Sequence, residues 1–258
     1  MLHSAHCINL QHRQDRWEQM RNEIRKFPED FLLHRFSALY NKEESRIGCA
    51  ESHLALINMA NNDGMEYIFI LEDDVRFRAS AYQKLENALV HVPEDWDILL
   101  GGCYETPHGD QVSRDIYKIY YAQGTHCIIY RNTCFEKMLR YQRQPLGIDD
   151  YISYLASTNE INLYHLHPAV AFQKEGYSDI KKGVFDWNDK DHPLAKDYIH
   201  YREIFRGIAE CKVDHLHRHI NEIRDSYLKT QSLLLIKKFC IEAESAACKA
   251  ISIKNSSA

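Results

Sequence analysis

Short apolar segments of strand length alternate with amphipathic helical segments over the first two-thirds of the chain. The segment 67–71 is continuously apolar, which predicts a central strand buried on both faces. Further strands are predicted at 6–10, 31–36 and 97–100, and helices at 17–27, 51–62, 79–91 and 150–158. This alternation predicts an α/β domain with a mixed sheet, mostly parallel with some antiparallel additions and flanked by helices.

Two features of the pattern fix the expected connections. The segments 116–121 and 125–130 flank Ala122-Gln123-Gly124 and predict a hairpin. Beyond about residue 185 the strand pattern stops, and a polar connector at 186–193 leads into two helical stretches, 195–228 and 232–251. We therefore expect a catalytic domain at 1–185 and a helical C-terminal extension at 186–258. The apolar seam of the last helix indicates docking on its own domain, and a homodimer seam or a membrane-surface helix are the alternatives.

Composition narrows the class of protein. The chain has 258 residues, 45% of them hydrophobic, and a net charge of −5, which disfavours disorder and a nucleic-acid binder. The eight cysteines form no CxxC pair, so we expect reduced thiols rather than a zinc ribbon. The first residues lack the charged and apolar regions of a signal peptide, and no apolar run reaches the ~20 residues that span a bilayer. We expect a cytoplasmic protein with at most peripheral membrane contact.

Three consecutive carboxylates, Glu72, Asp73 and Asp74, directly follow the predicted central strand. Ligands of open α/β sheets bind in the crevice beyond the carboxyl ends of the strands. The three charges would repel one another unless a cation or ligand compensated them, and hard oxygen ligands favour Mg²⁺ or Mn²⁺. A solvated acidic loop is the alternative interpretation.

Two further segments hold polar residues near predicted strand and helix ends. Asn9 closes the first strand, and Arg13 and Arg16 follow on one face of the first helical turn, where two guanidinium groups could hold a diphosphate. Ser52 and His53 lie on the next helix and could face the same crevice. Surface arginines, a capping serine and a structural histidine are the alternatives.

The combination of these segments resembles glycosyltransferase family 25, which contains bacterial lipopolysaccharide and lipooligosaccharide galactosyltransferases and the collagen galactosyltransferases. The resemblance covers about residues 5–180. In chain order its segments are Ile8-Asn9-Leu10 with Arg13 and Arg16, Gly48-Cys49 with Ser52-His53, Leu71 to Val75, Gly124-Thr125-His126, Asp149 within 147–150, and Pro168, Gln173 and Ser178-Asp179-Ile180.

The resemblance implies a GT-A-type, Rossmann-like fold that binds a UDP-hexose, most often UDP-galactose, together with Mn²⁺ or Mg²⁺. The metal would be held by Asp74, with Glu72 or Asp73 assisting. An inverting transfer would need a base, for which Asp149 is the first candidate and Asp150 the second; a helix-capping role is the alternative for Asp149. The acceptor would be a surface glycan, such as lipid-linked lipooligosaccharide. The residues implied in donor binding are Asn9, Arg13, Arg16, Ser52, His53, Asp73, His126, Gln173 and Asp179.

Two other functions compete with the transferase: a degenerate nucleotide-sugar-binding scaffold and a metal-dependent phosphohydrolase. The intact carboxylate cluster argues against the first, and the lack of a matching phosphate loop or nucleophile motif argues against the second. His215, His217 and His219 invite a zinc interpretation, but residues at i and i+2 of a helix point to different faces. We interpret His165 and His167 as core or rim residues.

Overall fold

The computed structural model describes residues 2–42, 44–103, 109–141, 147–174, 176–178, 183–185, 193–210, 213–223, 229–230 and 233. The chain divides into two compact units, 1–189 and 190–258. The expectation of a catalytic domain at 1–185 and a helical C-terminal extension at 186–258 stays a prediction.

The secondary structure consists of strands and helices in alternating order through most of the first unit. The strands are β1 (Ser4–Asn9), β2 (Leu32–Ser37), β3 (Tyr67–Glu72), β4 (Val75–Phe77), β5 (Ile98–Leu100), β6 (Asp110–Ser113), β7 (Ile116–Ile119), β8 (Cys127–Arg131), β9 (Leu163–Leu166), β10 (Ala171–Gln173), β11 (Gly176–Ser178) and β12 (Gly183–Phe185). The helices are α1 (Gln14–Glu23), α2 (Ser45–Asn62), α3 (Ala81–His91), α4 (Asn132–Leu139), α5 (Ile148–Ser157), α6 (Pro193–Ala209) and α7 (Val213–Glu222), and a 3₁₀ turn spans Ile24–Lys26.

An eight-stranded sheet in the order β2-β1-β3-β8-β5-β9-β7-β6 forms the centre of the first unit. The β2-β1-β3 and β5-β9 pairings are parallel, whereas β8 runs antiparallel to both β3 and β5. Two short strand pairs, β10-β4 and β11-β12, stand apart from this sheet. The α/β class with a mixed sheet is confirmed.

The central position predicted for the apolar segment at 67–71 is also confirmed. β3 lies between β1 and β8, and Ile68, Phe69, Ile70 and Leu71 are each at most 2% exposed. Because neighbouring elements cover both faces of this strand, every position can be apolar. The last residue of β3, Glu72, is the first carboxylate of the acidic cluster.

The hairpin predicted around Ala122-Gln123-Gly124 is wrong. β7 pairs with β6 and β9, whereas β8 pairs with β3 and β5 in the middle of the sheet. The physical reason is burial: Cys127 to Tyr130 are all completely buried, and such a strand is stable in the middle of a sheet, where layers packed above and below cover both of its faces. β7 has two partly exposed residues, and it forms its hairpin with the polar β6.

Helix bounds also differ from the sequence-based expectation. α2 begins at Ser45, about one and a half turns before the predicted start at residue 51, so the Gly48-Cys49 segment lies inside the helix. In the second unit, α6 and α7 occupy what was predicted as one helix over 195–228. Their buried side chains include Tyr201, Phe205, Ile208, Ile220 and Ile223.

The predicted last helix, 232–251, lies outside the described residues except for residue 233, and its predicted seam is not described. Among the described residues, no helix is both long enough and apolar enough to span a bilayer.

Candidate active site

The three carboxylates lie at one edge of the central sheet. This edge is formed by the carboxyl ends of β1 and β3 and, because β8 is antiparallel, by the amino end of β8. Asn9 ends β1, Glu72 ends β3, and Thr125 and His126 immediately precede β8. The edge thus gathers residues that are more than 50 positions apart in sequence, as predicted for the crevice of an open α/β sheet.

Both oxygens of Asp73 are held by residues of the first strand–helix connection. Asn9 Nδ2 donates to Asp73 Oδ2 at 2.6 Å, and Arg16 Nη1 donates to Oδ1 at 2.7 Å. Burial raises the pKa of Asp73, and the charge and hydrogen bonds of Arg16 and the hydrogen bond of Asn9 act in the opposite direction. Asn9 itself is buried, and its Oδ1 accepts from Arg35 Nε at 2.9 Å. Asn9 therefore acts on the crevice by holding Asp73.

Asp74 has one oxygen engaged and one oxygen available. Gln173 Nε2 donates to Asp74 Oδ2 at 2.7 Å, and Arg16 lies 3.4 Å from the same oxygen. Asp74 Oδ1 is buried and accepts no hydrogen bond from the described residues. Burial and the charges of Glu72 and Asp73 raise the pKa of Asp74 to about 7. A buried carboxylate oxygen without a donor is costly, and a divalent cation would satisfy it.

Glu72 turns toward α2 and the start of β8. Thr125 Oγ1 donates to Glu72 Oε1 at 2.7 Å, and His53 Nε2 lies 3.7 Å from the same oxygen. Burial would raise the pKa of Glu72, but His53 and Thr125 outweigh this effect and lower it. The ring of His53 is fully buried, and its Nδ1 lies 3.2 Å from the hydroxyl of Tyr130.

The two aspartates at the start of α5 have different surroundings. Asp149 is partly exposed; it accepts from Gly124 N at 3.3 Å and from Asp150 N at 3.1 Å. Asp150 is buried, and its Oδ2 accepts from Gly147 N at 3.2 Å, which closes the first turn of the helix. Burial raises the pKa of both groups, with the charge of Glu72 adding for Asp149. For Asp150, burial and the charge of Asp149 raise the pKa to about 7.

The other sequence-predicted residues fall into different places. Arg13 pairs with Asp15 at 3.0 Å, on the first turn of α1. Ser52 is a buried residue of α2. Its hydroxyl donates to Gly48 O at 2.7 Å and accepts from Leu39 N at 2.8 Å.

The remaining two sequence-predicted residues are His126 and Asp179. His126 is buried, and burial lowers its pKa. Its backbone carbonyl accepts from Glu72 N at 3.1 Å. Asp179 lies outside the described residues.

Sequence reasoning missed Cys49 and Thr125 as members of the crevice. Cys49 is the residue one turn before His53 on α2, and its thiol, His53 and Glu72 bring ligand atoms within 4.8 Å of one another. The signal was present as the i, i+4 spacing of a cysteine and a histidine, which places both on one face of a helix. For Thr125 only the sheet topology reveals the contact, because its partner lies 53 residues away.

Comparison with known proteins identifies a glycosyltransferase region in this chain. The model of glycosyltransferase family 25 (LPS biosynthesis protein) matches residues 43–160. The matched residues include the carboxylate cluster and the other described residues of the edge between Cys49 and Asp150. The match confirms the family resemblance seen in the sequence. Residues 43–160 are thus a glycosyltransferase family 25 region of this chain. No curated protein matches the chain.

Several solved structures are similar to the chain at low identity. Protein A197 from STIV is 15% identical with a TM-score of 0.43, over 72% of this chain and 94% of that chain. A mutant of the Drosophila beta-1,4-galactosyltransferase 7, in complex with manganese, UDP-Gal and xylobiose, is 14% identical with a TM-score of 0.39, over 64% of each chain. The mannosyltransferase PcManGT from Pyrobaculum calidifontis, in complex with GDP-Man and Mn²⁺, is 9% identical with a TM-score of 0.44, over 97% of this chain and 80% of that chain. With TM-scores below 0.5, these similarities leave the assignment to the family match.

Proposed function

We propose that this glycosyltransferase is an inverting, metal-dependent enzyme that moves a hexose from a UDP-sugar to a hydroxyl group of a surface glycan. Galactose is the proposed hexose, and lipid-linked lipooligosaccharide at the cytoplasmic face of the membrane is the proposed acceptor. The family match to LPS biosynthesis proteins supports this class of acceptor. The observation that carries the metal dependence is the buried, donor-free Oδ1 of Asp74.

The carboxylate oxygens at this edge of the sheet are suitable ligands for a hard divalent cation. Asp74 offers one oxygen that no described residue engages, whereas Asp73 has both oxygens in hydrogen bonds and Glu72 turns toward Thr125 and His53. We therefore assign Asp74 as the principal ligand, with Glu72 or Asp73 assisting. Mn²⁺ or Mg²⁺ bound there would supply Lewis-acid stabilisation of the charge that develops on the departing diphosphate.

The remaining residues of the edge hold and orient the reactants. Arg16 is the cation beside Asp73 and Asp74, and its planar group is suited to a phosphate. Gln173 donates to Asp74 Oδ2 and holds the carboxylate in place, which leaves Oδ1 for the cation. We assign Arg13, Ser52, His53 and His126 to support or contact of the donor, and Asn9 to positioning of Asp73.

Asp149 is the proposed base. In the transfer, the acceptor oxygen forms a bond to the anomeric carbon as the bond from that carbon to the UDP oxygen breaks, and Asp149 takes the acceptor proton. Its raised pKa favours this role because a more basic carboxylate is a better proton acceptor. Asp150 already closes the first helical turn through Gly147 N, which makes it the second candidate.

A panel of UDP-sugars with and without Mn²⁺ tests the proposal. We expect one UDP-sugar to raise the melting temperature and to be slowly hydrolysed, and we expect a chelator to abolish both effects. Asp149→Asn should keep the donor-induced stabilisation and lose transfer, whereas Asp110→Asn, an exposed carboxylate on β6, should keep both. Turnover of a phosphomonoester without any response to UDP-sugars would show a phosphohydrolase instead.

A further inference from the structure

Cys49, His53 and Glu72 form a cluster whose chemistry differs from that of Asp74. Their thiol sulfur, imidazole nitrogen and carboxylate oxygen all lie within 4.8 Å of one another. A thiolate and an imidazole are ligands of Zn²⁺, whereas Mn²⁺ and Mg²⁺ prefer oxygen alone. We propose that these three residues form a second metal site, which takes a thiophilic divalent cation of the Zn²⁺ class.

The geometry of the cluster is close to that of a bound ion. Ligand atoms around tetrahedral zinc lie roughly 3.3–3.8 Å apart, given bond lengths of about 2.0–2.3 Å. His53 Nε2 and Glu72 Oε1 are already separated by 3.7 Å. Cys49 and His53 share one face of α2, so the thiol and the imidazole can approach the same point beside Glu72.

His53 supplies the second, independent observation. Its ring is fully buried, and its Nε2 has no hydrogen-bond partner among the described residues. The other ring nitrogen, Nδ1, lies 3.2 Å from the hydroxyl of Tyr130. When Nδ1–H donates to that hydroxyl, Nε2 carries a lone pair and lies 3.7 Å from Glu72 Oε1. This arrangement is typical of metal-binding histidines, whose second nitrogen is held by a hydrogen-bond partner.

The surroundings of the cluster supply the remaining features of a zinc site. Thr125 Oγ1 donates to Glu72 Oε1 at 2.7 Å and holds the carboxylate in place. Cys49 and Glu72 are partly exposed, which leaves an entry path and a fourth position for a water molecule. In the metal-free state, burial and the nearby carboxylates raise the pKa of the Cys49 thiol, and the charge of a bound cation would reverse this effect.

The site shares His53 and Glu72 with the residues proposed to hold the sugar donor and its metal, but it is tested by the binding of a thiophilic cation alone. It would connect α2 to the end of β3, since two ligands come from the helix and one from the strand. Binding should therefore stabilise the fold whichever sugar donor the enzyme uses.

Titration of the chelator-treated full chain with Co²⁺ tests the proposal, because a thiolate ligand gives cobalt a charge-transfer band in the near ultraviolet. We expect the band to reach its maximum at one Co²⁺ per chain and to disappear when one equivalent of Zn²⁺ is added. Zn²⁺ should also raise the melting temperature. Cys49→Ser should abolish the band, and His53→Ala should weaken Co²⁺ binding at least tenfold. Tyr130→Phe should retain the band and weaken binding roughly tenfold, as expected for an outer hydrogen-bond partner.

Two control variants distinguish cation binding at this cluster from binding at another buried thiol or at Asp74. Cys134→Ser removes a buried thiol of α4 that donates to Asp97 O and is not a member of the cluster, and it should keep the band. Asp74→Asn should also keep the band while losing the response to Mn²⁺ and donor. Circular dichroism checks that each variant is folded. A band that persists in Cys49→Ser, the absence of any band in the folded wild type, or a band lost in Asp74→Asn would overturn the proposal.

Discussion

The substitution Asp74→Asn tests the electrostatics of the acidic edge most directly. Asn is nearly isosteric with Asp, and its Oδ1 can still accept the hydrogen bond that Gln173 donates at 2.7 Å. The variant removes one negative charge from a largely buried group of three. In the metal-free protein we therefore expect Asp74→Asn to increase the free energy of unfolding, although Asp74 is the proposed principal metal ligand.

The magnitude follows from the pKa of Asp74. Burial and the neighbouring charges of Glu72 and Asp73 raise this pKa from 3.8 to about 7. Since each pKa unit corresponds to about 1.4 kcal/mol, ionised Asp74 costs the folded state up to about 4 kcal/mol. Loss of the 3.4 Å contact with Arg16 offsets part of the gain, and we expect Asp74→Asn to be more stable by about 1–3 kcal/mol at pH 8.

The pH dependence gives the sign of the effect. Below the ordinary pKa of 3.8, Asp74 is neutral in both the folded and unfolded states and imposes no cost. As pH rises from there to about 7, the unfolded chain ionises before the folded one, so the wild type loses stability relative to the variant. The advantage of Asp74→Asn should grow over this range and level off above pH 7.

Urea unfolding at pH 5 and pH 8, in the presence of a chelator, measures this difference. Asp63→Asn, which changes an exposed carboxylate at the end of α2, serves as the control and should show no comparable change between the two pH values. Adding Mn²⁺ and donor should reverse the order, because only the wild type gains a ligand. An Asp74→Asn variant that is less stable than the wild type at pH 8 without metal would contradict this prediction.

Three further predictions concern the scaffold of the edge. Gly48→Ala places a methyl group against Leu39 O, and it should lower the free energy of unfolding by about 1–3 kcal/mol in urea melts; Ala55→Gly, at a partly exposed position of α2, is the reference for helix propensity. Arg16→Ala leaves Asp73 buried without its cation, and it should cost about 2 kcal/mol or more at pH 8 and less at pH 5, because protonation of Asp73 removes the unpaired charge. Phe69→Ala empties a side-chain volume in the central strand and should cost about 3–5 kcal/mol by the same assay; a loss below 1 kcal/mol would contradict the core position.

Several parts of the fold and of the site could be predicted from local pattern. The continuous apolar run ending at Leu71 identified the central strand, because such a run is stable only when both of its faces are covered. The carboxylates after it were expected at the sheet edge, since strand ends in an α/β sheet define the ligand crevice. The family resemblance added Asp149 and Gln173 to the same region, and the family match confirms that resemblance over residues 43–160.

Other parts depended on contacts that no local pattern contains. Strand β8 was expected in a hairpin with β7, but it lies between β3 and β5, because its four buried residues need cover on both faces. That antiparallel placement brings Thr125 to Glu72 across 53 positions of sequence.

The order of residues along the chain indicates which polar groups stand at the ends of the strands, and hence the class of chemistry. How the three neighbouring carboxylates differ depends on the packing of the folded protein. Asp73 is held by Asn9 and Arg16, Glu72 turns toward Thr125 and His53, and Asp74 keeps a buried oxygen without a donor. The physical reason is that the partners of a carboxylate come from strands and helices far apart in the chain, so its protonation and its availability to a cation are fixed only when those elements pack together.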